Sequence, residues 1–84
     1  MKIKEFIGDK LLFYCPGCKH EHYIDKSWDF NGDYNNPTIN PSILAYRIIR
    51  CHSFIRNGKI EFLSDCEHEL AGQIVELLEI EWLM

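Results

Sequence analysis

Four cysteines and four histidines in 84 residues are spaced for metal chemistry. In Cys15-Pro16-Gly17-Cys18 a tight turn sets two thiols side by side, since Pro fixes one φ and Gly permits a positive one. Their separation suits a single tetrahedral zinc ion. Cys51-His52 and Cys66-Glu67-His68 add two thiols and two imidazoles, enough to close a four-ligand site. The expected Zn2+ set is Cys15, Cys18, Cys51 and Cys66, with His52 and His68 as alternates. A closed set of protein ligands supports a fold and leaves no position for a reacting water. An open position, with His68 or Glu67 moving protons, would instead give metal-assisted hydrolysis. Without metal, Cys66 would be a nucleophile paired with His52 or His68.

Short elements must bring these residues together. The β-prone run Lys10-Leu11-Leu12-Phe13-Tyr14 leads into the turn and His22-Tyr23-Ile24 returns, so residues 11–24 read as a metal-knuckle hairpin. From Trp28 to Pro41, Asn, Gly and Pro break every period and imply a long ordered loop. Asn57-Gly58 predicts a two-residue primed turn, which pairs Arg56 with Lys59, Ile55 with Ile60, Phe54 with Glu61, Ser53 with Phe62, His52 with Leu63 and Cys51 with Ser64. Alternation puts Cys51, Ser53 and Ile55 on one face and His52, Phe54 and Arg56 on the other. Ser64-Asp65-Cys66-Glu67 fits a capping box, so a short helix is expected at about 65–71, stopped by Gly72. Residues 73–84 suit a helix through Ile74, Leu77 and Leu78, or a strand face through Ile74, Leu78, Ile80 and Trp82. In this geometry His52 points away from Cys51, and His68 lies about 200° around the helix from Cys66. The expected fold is α+β: zinc-ribbon-like β-hairpins, a short helix after the second hairpin and a C-terminal helix or strand. Residues 1–84 form one zinc-stabilised domain, because so short a chain builds only a small core.

Composition narrows the partners. Glu5, Asp9 and Lys10 interrupt any apolar leader, and the longest apolar run, Leu11 to Cys15, is far short of a membrane span. A cytoplasmic protein is expected, whose reduced thiols hold metal rather than form disulfides. A net charge of −4 disfavours wholesale phosphate neutralisation, although Arg47, Arg50, Arg56 and Lys59 would make the basic strip of a nucleic-acid-binding ribbon. Beyond Lys59 the chain carries acids and no Lys or Arg, giving a solvated acidic face or a dock for a basic partner. Trp28, Asn31, Asp33, Thr38 and Ser42 form the candidate partner-binding surface, though such residues also serve simply to build turns. His20 and His22 are expected near the site without being ligands.

Several words of this text resemble a known family. Cys15-Pro16-Gly17-Cys18 with His22, Trp28-x-Phe30-Asn31-Gly32-Asp33, Pro37-Thr38, Pro41-Ser42, Cys51-His52-Ser53-Phe54-Ile55, Gly58-Lys59-Ile60, Phe62-Leu63 and Asp65-Cys66-x-His68-x-Leu70-Ala71-Gly72-Gln73 are similar to small phage and prophage proteins of unknown function. Members often carry the label "ammonia monooxygenase". That label implies a membrane multicopper enzyme, for which this chain has neither spans nor a copper-site pattern. The resemblance covers roughly residues 11–76 and implies a phage-encoded, zinc-binding protein of the host cytoplasm, without supplying an activity. The chain departs from longer members by a short connection between Ser42 and Cys51 and by its tail from Leu78 to Met84. The expected function is that of an accessory protein binding a host or defence protein. Alternatives are a small zinc- or thiol-dependent hydrolase using Cys66, His68 and His52, and a nucleic-acid-binding zinc ribbon.

Overall fold

Arg50–Arg56 alternates between buried and more exposed positions, the period of a half-buried strand, while Lys10–Cys15 buries Leu12, Phe13 and Cys15. The computed structural model describes residues 1–25, 27–46 and 49–80. Its strands are β1 (Lys4–Phe6), β2 (Lys10–Cys15), β3 (His20–Ile24), β4 (Asp29–Phe30), β5 (Ile39–Tyr46), β6 (Arg50–Arg56), β7 (Lys59–Phe62) and β8 (Ile74–Glu76). They form two antiparallel sheets, ordered β1-β2-β3 and β4-β5-β6-β7-β8. Ile3, Phe13 and Ile24 pack in one core with Ile39, Ile43, Ile55, Ile60 and Phe62. Cys15, Cys51 and Cys66 lie within that core. Among the described residues no helix is long and apolar enough to cross a membrane.

Local signals set both hairpins. Across β2 and β3, Phe13 pairs with His22 and Cys15 with His20, with the knuckle between them. At the second turn Asn57 and Gly58 have φ of 51° and 76°, as a primed turn requires. The ladder then pairs Ser53 with Phe62 and Arg56 with Lys59, the register counted from sequence.

The α+β expectation is corrected to an all-β fold: the described residues contain no α-helix at 65–71 or beyond. Glu67 shows why. Instead of capping a helix, its carboxylate accepts the Arg50 N–H at 2.6 Å and its own N–H donates to the Arg50 carbonyl at 2.9 Å. The Cys66 side chain is likewise held on β6 through the His52 backbone, and Leu63 donates its N–H to the His52 carbonyl, so Leu63, Cys66 and Glu67 are tied to a neighbouring strand instead of winding. Further on, Ala71 donates to His68 and Gln73 to Leu70 as isolated turns, and Gly72 at φ 78° turns the chain into β8. Glu61 pairs there with Ile74. The expected C-terminal helix is overruled at 74–76 by this pairing; Glu81 and Trp82, and Arg47 of the basic strip, lie outside the described residues.

Gly58 is confined as well as turned. Its N–H donates to Pro37, and an added Cβ would stand 3.1 Å from the Asn36 side-chain oxygen and from Lys2 Nζ. Gly58→Ala should cost about 1–2 kcal/mol from the left-handed backbone alone. Urea unfolding should show this as a lower midpoint at unchanged slope.

Candidate functional site

The end of β2, the knuckle, β3 and the start of β6 converge on one group of ligand atoms: Cys15, Cys18, His22 and Cys51, all within 4.8 Å of one another. All four cysteines are free thiols. Cys15 Sγ and Cys51 Sγ are 3.7 Å apart, too far for a disulfide and close to the edge of about 3.8 Å of a tetrahedron with Zn–S bonds of about 2.3 Å. The Cys18 N–H donates to Cys15 Sγ at 3.3 Å. A hydrogen bond from Cys51 holds the Cys15 thiol down to about 4, against the opposing effect of burial, with help from His22. Burial and the Cys15 charge push Cys18 up to about 11. Cys51 is raised too, first by the hydrogen bond it gives Cys15 and then by burial. One thiolate therefore suppresses its neighbours, and a divalent cation at the centre would reverse that repulsion.

A second group, Cys51, Cys66 and His68, shares Cys51 with the first. His68 Nε2 is 3.5 Å from Cys51 Sγ, while its Nδ1 accepts the Leu70 N–H at 3.2 Å. The ring stands edge-on to Phe62 and against the knuckle, where a Cβ on Gly17 would fall 2.3–2.7 Å from the imidazole. Cys66 Sγ grips His52 from both sides, accepting its N–H at 3.2 Å and donating to its carbonyl at 3.1 Å.

On the other face of β6 lies a different chemistry. His52 Nδ1 is 3.2 Å from Asp65 Oδ2, and His52 Nε2 is 3.0 Å from Ser42 Oγ. In the tautomer that gives Nδ1–H to the carboxylate, the imidazole would present a bare Nε2 to the serine hydroxyl. Ser42 reaches this position through a register shift: Ile39 pairs with Ile55 but Ile43 with Ser53, so β5 bulges just before and at the serine. The Trp28 indole N–H ties the Ser42 carbonyl at 3.3 Å. Side-chain exposures of 26% for His52 and 44% for Asp65 leave both groups partly open to solvent.

The model of a protein family described as bacterial ubiquitination-like system serine protease, BubE, matches residues 2–63. This chain belongs to the BubE family. No curated protein and no solved structure gives a match. The sequence motifs pointed to small phage and prophage proteins; the BubE description names a bacterial system. The matched span includes Cys15, Cys18, Cys51, Ser42 and His52, and stops short of Asp65 and Cys66.

Within this BubE chain the expected metal residues divide. Cys15, Cys18 and Cys51 come together with His22, and Cys66 joins Cys51 only in the second group, with His68. His52 faces the serine instead of the thiols. The bonds of Cys66 run to the His52 backbone, so the arrangement of a thiol nucleophile on an imidazole is not formed there. In the loop, Asn31 accepts from Asp33 and Thr38, Asp33 accepts from Asn35 and Asn36, and Thr38 accepts from Asn57. Those groups build the turn. Of the basic strip, Arg56 pairs with Glu61 and lies over Phe54, and Arg50 lies over Tyr46. Asp65 as a partner of His52 was missed. The hairpin count held the signal, because a residue opposite Leu63 shares its face with position 65. Ser42 carried only a weak one, Pro41-Ser42 ahead of a strand.

Gly17→Ala should drive the His68 ring from the knuckle, and any divalent ion taken up by the cluster should bind about 10–100-fold more weakly, the usual cost of losing a group that orients a ligand. Competition against a chromophoric chelator measures it.

Proposed function

We propose that this chain is a serine hydrolase that cleaves a peptide bond in a protein of a ubiquitination-like system, within a single domain held together by a structural Zn2+ ion. The observation that carries the reading is the relay from Ser42 Oγ through His52 to Asp65, with links of 3.0 and 3.2 Å. The serine-protease description of the BubE family supports it independently.

The chemistry follows from the tautomer. Ser42 Oγ attacks the scissile carbonyl as its proton passes to His52 Nε2. Asp65 stabilises the resulting imidazolium and keeps its orientation. His52 then gives the proton to the departing amine, leaving an ester on Ser42. Water, deprotonated by His52, attacks that ester, releasing the carboxylic acid and restoring the serine hydroxyl. Trp28 holds the backbone of the nucleophile, and Cys66 holds that of the base.

Zinc suits the other face. The orphaned nitrogen of buried His22 and the 3.7 Å sulfur separation fit a tetrahedral S/N ion. When bound, zinc supplies a cross-link between the sheets and charge compensation for the thiolates; the chain's residues do the hydrolysis. Thiolate ligands need reducing conditions, consistent with a cytoplasmic setting.

A fluorophosphonate probe should label the protein once, with the adduct mapped to Ser42 by mass spectrometry. Ser42→Ala should abolish both labelling and cleavage of a quenched peptide library, and Asp65→Asn should lower kcat by up to about 10^4-fold. Labelling elsewhere, or a Ser42→Ala protein that still cleaves, would refute the assignment.

A further inference from the structure

His22 is 7% exposed, and among the described residues its Nε2 has no hydrogen-bond partner. A buried imidazole nitrogen left bare is costly, so such an atom demands an explanation. Three groups compete to be the fourth ligand beside Cys15, Cys18 and Cys51, and their placement tells them apart. Cys66 Sγ is engaged by both backbone groups of His52 and joins Cys51 and His68, not Cys15 and Cys18. His68 is tied at Nδ1 by the Leu70 N–H and shares only Cys51 with the first group. His22 belongs to the group with all three thiols, and its Nε2 has no hydrogen-bond partner among the described residues.

We propose that Cys15, Cys18, Cys51 and His22 form a closed three-thiolate, one-imidazole zinc site, with Cys66 outside it as a thiol that fixes the backbone of His52. This deepens the zinc reading above and does not depend on the hydrolytic one. The Phe13 ring, 5.5 Å from His22 and 58° to it, and the His20 ring, 4.9 Å away and edge-on, hold the ligand's plane. His68 then plays the supporting role, donating Nε2–H to the Cys51 thiolate.

The experiment is zinc K-edge absorption on the full chain loaded with one equivalent of zinc, with cadmium-113 NMR as a second readout. The wild type should show three sulfurs and one nitrogen. Cys66→Ser should keep that shell and the one-to-one stoichiometry while slowing any Ser42-dependent cleavage, and His22→Cys should convert it to four sulfurs. His22→Ala should weaken zinc binding beyond the about 10–100-fold expected for a supporting group. If that variant does not fold, the wild-type and Cys66→Ser spectra still decide. A four-sulfur wild type, loss of a sulfur in Cys66→Ser, an unchanged shell in His22→Cys, or no bound zinc would each overturn the proposal. None of these metal readouts requires a functional Ser42, so Ser42→Ala should give the wild-type spectrum, and failure of the hydrolase reading would show only in labelling and cleavage.

Discussion

The approach of Cys15 to Cys51 is the contact on which the molecule turns. One sulfur ends a strand of the three-stranded sheet and the other begins a strand of the five-stranded sheet, and 3.7 Å separates them in the buried seam. With Cys18 beside them, the thiols cannot all ionise in so small a volume without a cation, because each thiolate raises the cost of the next. Aliphatic packing from both sheets surrounds the group but leaves its polar requirements unmet, as the bare nitrogen of His22 shows.

The period of a β-strand then separates two chemistries one residue apart. Cys51 turns into the seam and His52 toward solvent. The same split recurs between Cys66, buried at 8% exposure, and Asp65, at the surface. Cys66 Sγ bonds both backbone groups of His52, so the residue carrying the imidazole and the residue next to its carboxylate partner are fastened to each other. The Ser42–His52–Asp65 contacts, partly exposed at the surface, are thereby anchored from the buried side of the sheet.

Much of the frame was legible. The Asn57-Gly58 turn carries positive φ at both central positions, and its register followed by counting. The knuckle hairpin was equally plain from aromatic and β-branched residues around Cys15-Pro16-Gly17-Cys18. The helix after Ser64 was misread because capping boxes are local signals, and the competing bonds to Cys66 and Glu67 came from His52 and Arg50, 14 and 17 positions away in sequence. Three of the four anticipated thiols share the first group; His22 was passed over because a histidine just past a turn has no periodicity that separates a ligand from a bystander.

The chain's own order of residues determined the two hairpins, the alternation that sets Cys51 and His52 back to back, and the chemical character of a thiol cluster, since turn torsions and the two-residue period are properties of neighbouring positions. Tertiary structure alone decided that residues 65–72 remain extended and turned, that His22 enters the sulfur group, and that Ser42 meets His52. Each of those outcomes depends on pairing between strands distant in sequence, and for Ser42 on a register shift between Ile39 and Ile43 that no local pattern announces. A shift of a single residue there would send the hydroxyl to the other face of the sheet.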